Sequence, residues 1–435
     1  FRVMKERGVV MRGVASHAGE MPRSAEYRWQ MSPAVYPSVL VVSMVLGRWL
    51  QYVTGGDAWV RGQPAAVVVQ ALAFVLAVGA WILADSKHRS NRSSTLLVTL
   101  FGLAWVIHIV LALLRGDAYM HLVWLMIPIL VMLWWKPLTA LQWQTVVWVA
   151  GVALAAALAI TIGLELVGVL ERPYLAPGLI DFEVRNYWLP LSEPLGIEGR
   201  WQGPFGHSGD TGAVAALVLV MGVAVWRKTS PVVVVVAVTV LLMTSVRSAY
   251  IAAAAGLAVL FVFGKSRWVA KFAMSTRLVV SGAVVALVTL VLVSQSVNLT
   301  GRSSTIWPGF WELWLTSPVL GVGPGGIAEN GGVTALSVHA HNLLLDELTR
   351  NGLLGFVLQV TAVGFAVVLA FRAMLLRAPG PLAILVAYGA IGVTQVMNDW
   401  IHPSLPVMLV IASGLWADSI LAQRRLDRET AASLR

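Results

Sequence analysis

The sequence predicts an all-α, polytopic membrane protein, and three observations predict it. Of its 435 residues, 58% are hydrophobic and only 12% are charged. A soluble domain carries about 25% charged residues, so this chain lacks the polar surface that water demands. Its mean hydropathy is +0.78. Apolar runs such as Val232–Val236 and Ala252–Ala255 do not alternate with polar residues, which excludes the dyad pattern of a membrane barrel. These features also exclude a soluble enzyme, a nucleic-acid-binding domain and a disordered scaffold. The net charge of +10 is therefore not read as a nucleic-acid signal. There is no cysteine, hence no disulfide framework, thiolate zinc site or thiol nucleophile.

A helical span needs about 20 mostly apolar residues. Scanning for such stretches places twelve, at 34–53, 65–84, 95–114, 119–135, 142–164, 211–226, 231–246, 248–264, 278–296, 343–371, 381–397 and 403–422. No internal repeat is visible. Residues 1–33 are basic and polar without an apolar core and read as a cytoplasmic arm, not a cleavable signal. Residues 34–422 form one transmembrane domain, and 423–435 a cytoplasmic tail.

Lys and Arg set the orientation. With the N-terminus inside and twelve crossings, 22 cations fall on the cytoplasmic side and 9 on the outer side. Acidic residues divide the other way, 7 inside and 14 outside. The expected topology is N-in/C-in. The inner cations serve orientation and anionic headgroups. The outer ones are Arg48, Arg61, Arg115, Arg172, Arg185, Arg200, Arg247, Arg302 and Arg350, and a site is sought among them first.

Two outer segments are long, 165–210 and 297–341, and rich in Trp, Gly and Pro, which suggests ordered loops. The second should contain a short interfacial helix. Ser303, Ser304 or Thr305 would cap it, Pro308 would sit in its first turn, and Ile306, Trp307, Phe310, Trp311 and Trp314 would form its apolar stripe.

The stretch 301–355 carries the most chemistry. Gly321-Val-Gly323-Pro-Gly325-Gly326 can turn sharply and present backbone N–H groups to an anion. Arg302 offers a forked cation matched to phosphate oxygens. His341 opens the tenth span, where a neutral imidazole can take a proton. Together these suit transfer of a group away from a phosphate leaving group. The plainer alternatives are an ordinary glycine-rich loop and a helix-start histidine bonded to backbone. His339 and His341 would serve a metal only with Asp346 or His402, and no helical i+4 ligand spacing supports that.

Arg247, in Thr244-Ser245-Val-Arg247-Ser248-Ala-Tyr250, lies between two spans with almost no loop. It either binds an anion or snorkels to outer headgroups. Gly199-Arg200-Trp-Gln-Gly203-Pro-Phe205-Gly206-His207-Ser-Gly209-Asp210 leads into span six, as a site or as a loop-to-helix cap with Asp210 near the helix N-terminus. Asp181 and Glu183 have the spacing of a divalent-ion site or lie in a solvated loop. Asp399 and His402 sit near the bundle mouth. Asp346 and Arg350 are i,i+4 and can pair.

The series Gly301-Arg302, Trp307, Pro318, Gly321-x-Gly323-Pro324-Gly325, His341-Asn342-x-x-Leu345 and Gly352-x-x-Gly355 resembles the O-antigen ligase and polymerase superfamily. Ser245-x-Arg247 and Arg200-x-x-Gly203-x-Phe205-Gly206-His207 are similar to two further motifs of that superfamily, in the same order. The likeness covers about 199–355.

It implies a GT-C-like glycosyltransferase in a bacterial cytoplasmic membrane, facing outward. The donor would be a glycan on undecaprenyl pyrophosphate, and the acceptor a glycan or lipid-glycan hydroxyl. Arg247 and Arg302 would hold the pyrophosphate and His341 would activate the acceptor. Arg200, His207, Asn342, Gly323, Gly325 and His339 would contribute to substrate binding. Membrane lipids are expected partners, nucleic acid is not, and no metal or other cofactor is expected. Two departures stand out. Ser208-Gly209-Asp210 follows His207 where the family has a proline or asparagine pair, and His339 is an extra histidine beside His341. A ligase is the expected activity, a polymerase of repeat units the alternative, and a lipid-linked glycan transporter the more distant one.

Overall fold

The computed structural model describes residues 32–53, 64–84, 91–115, 126–170, 201, 203–205, 208–244, 246–264, 271–294, 306–329, 340–393 and 405–433. Among the described residues the regular structure is helical, with no strand. Fourteen helices are described. They are α1 (Val35–Val53), α2 (Pro64–Leu83), α3 (Arg92–Arg115), α4 (Met126–Trp135), α5 (Ala140–Leu166), α6 (Ser208–Ala224) and α7 (Ser230–Thr244). Then come α8 (Arg247–Phe263), α9 (Met274–Ser294), α10 (Trp307–Thr316), α11 (Gly323–Glu329), α12 (Leu343–Leu375), α13 (Gly380–Gly392) and α14 (Leu405–Ser433).

Each of the twelve apolar stretches holds one helix, and α10 and α11 fall in the second long loop. By length and composition α3, α5, α12 and α14 are long and apolar enough to cross a membrane. The other apolar helices described are shorter. The last helix runs beyond the apolar stretch to Ser433, its final turns exposed.

Local chemistry sets several boundaries. Thr139 caps α5 through a capping box with Gln142, each side chain reaching the other's backbone N–H. Pro308 occupies the first turn of α10, where a missing N–H costs nothing. Beyond the end of α12, Arg377 takes the left-handed conformation at φ 62°, and its N–H donates to Met374 O at 2.7 Å.

The main core is built around α6, which is buried on nearly every face and packs against α5, α7, α8 and α13. The first half of α14 is buried likewise, against α3, α5 and α12. Small residues allow these helices to approach closely, as in membrane bundles. At Gly256 of α8, a Cβ would lie 2.6 Å from Val220 of α6 and 3.0 Å from the Ala383 carbonyl of α13. Large apolar side chains face outward on the flanks, including Leu72 and Leu76 of α2 and Leu287 and Leu290 of α9. A separate small core of Phe310, Leu313, Ile327 and Ala340 joins α10 and α11 to the start of α12.

The helix ends gather into two sets. At one end Tyr36 donates to Lys136 O at 3.1 Å, Lys136 to Ala84 O at 2.6 Å, and Asn91 to Asp418 at 3.2 Å. At the other, Trp49 donates to Thr161 at 3.0 Å, Trp201 to Glu165 at 2.7 Å, and Asn342 to Val393 O at 3.3 Å. The second end carries the candidate site.

Candidate functional site

The site end is organised by a break in α12. Gly352 has φ 62° and ψ −170°, so the helix stops and restarts there. A break inside an apolar span leaves backbone groups without partners, and these must be satisfied by protein where water is excluded. The segment 317–322 supplies them. Val322 N–H donates to Thr349 O at 2.9 Å. Pro318 O accepts from Leu353 N–H at 2.8 Å, and Val319 O from Leu354 N–H at 3.2 Å. Arg115, the last residue of α3, donates to Arg350 O at 2.9 Å and also to Leu320 O. The loop and Arg115 thus supply partners for four of the backbone groups around the break.

This clip explains two glycines of the sequence pattern. Gly321, at φ 69°, lies against Gly352 so closely that a Cβ would sit 2.4 Å from Gly352 N. A Cβ on Gly352 would sit 2.3 Å from Val319 O. Both the left-handed backbone and the close approach require glycine. The expectation of a sharp glycine turn holds at Gly321 and Gly323 (φ 71°), but Gly323 and Gly325 then belong to the short helix α11.

The turn before α12 carries His341. It holds a left-handed φ of 49°, uncommon outside glycine. Asn342 follows as the N-cap, its Oδ1 accepting from Leu344 N–H and Leu345 N–H, both at 3.0 Å. Its Nδ2 reaches Val393 O just past α13. The Asn342 amide, expected to bind substrate, is engaged in capping on the oxygen side and in helix docking on the nitrogen side. One oxygen of Asp346 accepts from Ala340 N–H at 3.2 Å, and the other pairs with Arg350 at 2.6 Å. The backbone before His341 is therefore held by a side chain of α12, and the residue after it caps that helix.

Beneath this turn lies a second buried polar group. Glu347 and His108 of α3 meet at 2.9 Å, each about 5% exposed. Glu347 also accepts from Asn351 at 2.8 Å. His108 Nδ1 bonds the Ala104 carbonyl, which can only accept, so Nδ1 carries a hydrogen. His108 Nε2 and Glu347 therefore share one proton, as imidazolium and carboxylate or as imidazole and carboxylic acid. The pair ties α3 to α12 across the bundle.

Of the residues singled out in the sequence, His341, Asn342, Gly323 and Gly325 come together at the start of α12 and the neighbouring α11. Arg247 is half-buried as the first residue of α8. α13 packs on both α8 and α12, with Gly392 against Leu343 and Ala387 against Gly256. Arg302, Arg200, His207 and His339 lie outside the described residues, as do Asp181, Glu183, Asp399, His402 and the caps expected at Ser303–Thr305. The flank of the Arg200 motif is described. Trp201 is fully buried on Glu165, Gly203 is left-handed at φ 62°, and α6 starts at Ser208 with Asp210 in its first turn.

Sequence reasoning missed His108, Glu347 and Asn351, and treated Arg115 only as one outer cation. The available signal was a titratable residue inside an apolar span, which marks a functional or pairing position. Among the described residues no three His, Asp or Glu side chains converge as metal ligands would. No family model matches the chain, and no curated protein matches it.

Proposed function

We propose that this chain is a membrane glycosyltransferase of the O-antigen ligase type. It would move a polysaccharide from undecaprenyl pyrophosphate to an acceptor hydroxyl at the outer face of a bacterial cytoplasmic membrane. The observation that carries the reading is the pose of His341. It stands at a left-handed turn held by Asn342 and Asp346, at the head of a helix whose break is clipped by the Gly321 loop. The residues of the resemblance that are described from Gly321 to Gly355 thus form one piece of structure.

In this proposal His341 takes the proton of the acceptor hydroxyl. The hydroxyl oxygen bonds to the anomeric carbon of the donor, and the bond from that carbon to the pyrophosphate oxygen breaks. The lipid pyrophosphate leaves with the electron pair, and Arg247 and Arg302 stabilise its charge. No metal enters the scheme. The chain would be GT-C-like, with twelve crossings and both termini inside. Charge distribution supports that orientation. Arg92, Lys136, Arg227, Arg277, Arg372 and Arg377 lie at the end away from His341, whereas Arg115, Arg247 and Arg350 lie at its end.

A polymerase uses the same donor chemistry and is the first alternative. A transporter for a lipid-linked or anionic solute is the second. It is favoured by the discontinuous α12 and the buried His108–Glu347 pair, since broken helices and intramembrane charges are transporter features. One experiment separates all three. The purified protein is given a synthetic lipid-pyrophosphate glycan and acceptors, and the products are identified. Glycan on a new carrier with release of the lipid pyrophosphate means ligase. A lengthened lipid-linked glycan means polymerase. Intact donor recovered from the opposite leaflet of a vesicle means transporter.

A further inference from the structure

A groove on the flank of the bundle stands apart from the His341 turn. It opens between α1, α2 and α5 and has a volume of about 610 Å³. Val35, Val42 and Leu46 of α1, Leu72 and Leu76 of α2, and Thr145 of α5 line it. Two of the four hydroxyls along it are turned back on their own helices. Ser43 donates to Leu40 O at 2.6 Å and Thr145 to Leu141 O at 3.1 Å. The groove therefore offers hydrocarbon contact and little to a water-soluble ligand.

Its length selects among apolar occupants. From Val35 to Leu46 the α1 wall runs roughly 16 Å at 1.5 Å per residue. That is about half of a 30 Å hydrocarbon core, the depth of one leaflet. A single alkyl chain entering from one surface fills such a slot, whereas a crossing helix or a second copy of the bundle would need a broad face.

A cation stands at the mouth. Val35 opens α1 and Thr145 lies in the second turn of α5, so both mark the end of the bundle away from His341. There Arg227, in the turn after α6, donates from Nη2 to Thr145 Oγ1 at 3.1 Å and lies 5.8 Å from the Trp148 ring centre. A guanidinium carries five N–H donors in a fork suited to phosphate oxygens. Lys228 follows it, exposed.

We propose that this groove binds one anionic phospholipid, with an acyl chain between α1, α2 and α5 and the phosphate at Arg227. The site is independent of the transferase reading, since it lies at the opposite end of the bundle from His341.

The test uses the full-length chain in mild detergent with phosphatidylglycerol or phosphatidylcholine, read by native mass spectrometry. The wild type should retain one phosphatidylglycerol about fivefold better than phosphatidylcholine, the contribution of one cation near a headgroup. Arg227→Gln should lower that preference to about one. Val42→Trp should fill the slot and release both lipids. A second readout does not depend on how that variant folds. The chain has no cysteine, so Val42→Cys and Leu287→Cys accept single fluorophores, the latter on the exposed flank of α9. Phosphatidylglycerol with a mid-chain nitroxide should quench the Val42 label at about fivefold lower lipid than the Leu287 label. Equal retention of the two lipids by the wild type overturns the proposal. So does equal quenching at both positions, which means ordinary boundary lipid. A Val42 label shielded from all lipid also overturns it, because the groove is then closed to lipid.

Discussion

Asp346 and Arg350 form an ion pair of 2.6 Å on the first two turns of α12, and the second Asp346 oxygen accepts the Ala340 N–H. One carboxylate thus joins the helix to the turn that presents His341. Both side chains are buried. An uncompensated buried charge is costly, so the two partners are not equivalent to two independent contacts.

Asp346→Ala should therefore destabilise the protein by about 3–5 kcal/mol, because Arg350 stays buried without its partner. Thermal unfolding in detergent reads the loss. A double-mutant cycle with Arg350→Met should show strong coupling, the pair of changes costing much less than the sum of the singles. Additive effects would contradict the pairing.

Gly352→Ala and Gly321→Ala should each cost at least about 1–3 kcal/mol from backbone conformation alone, with the clash at Val319 O or Gly352 N added. The two changes damage the same clip, so the double variant should lose less than the sum. Gly364, where an added Cβ would meet nothing within 4 Å, is the control, and Gly364→Ala should be neutral or stabilising. Denaturation midpoints check all four variants.

Glu347→Ala removes the acceptor of both His108 and Asn351 and should destabilise by about 3–5 kcal/mol. Replacing both charged partners, as His108→Leu with Glu347→Leu, should be much milder, because no buried charge is stranded. A double variant as damaged as Glu347→Ala would show that the pair does more than satisfy itself.

His341→Gly separates pose from chemistry. Glycine relaxes at φ 49°, so stability should be unchanged or slightly raised. Transfer should nonetheless be lost, along with that of Arg247→Ala. Arg302→Lys should be weak, since an ammonium lacks the fork geometry. Wild-type transfer rates in EDTA should match those without it, and loss restored by manganese would return attention to Asp181 and Glu183. Retained transfer in both His341→Gly and Arg247→Ala would sink the proposed mechanism.

Orientation has its own measurement. Val169, exposed just beyond α5 at the His341 end, and Arg424, exposed on α14 near the other, can each carry the chain's single cysteine. A membrane-impermeant maleimide added outside cells should label Val169→Cys and spare Arg424→Cys. The reverse pattern would invert the topology and place His341 in the cytoplasm.

The sequence by itself determined the helical architecture, because long apolar runs in a chain with so few charges have no other way to satisfy their backbone in lipid. Local signals located the twelve apolar helices, with most ends within about five residues, though the last helix runs on to Ser433 and α4 is described only from Met126. They also anticipated the proline-led α10 and the Asp346–Arg350 pair, since i,i+4 neighbours on a helix meet whatever surrounds it. What neighbours across the bundle decide was illegible. Glu347 drew no notice in the sequence, and its role appears only where α3 brings His108 to it from 239 positions away. Gly352 read as one glycine of a motif, yet its left-handed turn exists because the 317–322 loop supplies the hydrogen bonds a broken helix forfeits. Asn342 is expected to bind substrate beside His341, and only the start of α12 and the end of α13 show that its amide also caps one helix and reaches the other. Hydrophobic period and local capping act over a few residues and can be read in order. Buried proton sharing and backbone replacement depend on which distant segment arrives, and that is settled only when the helices pack.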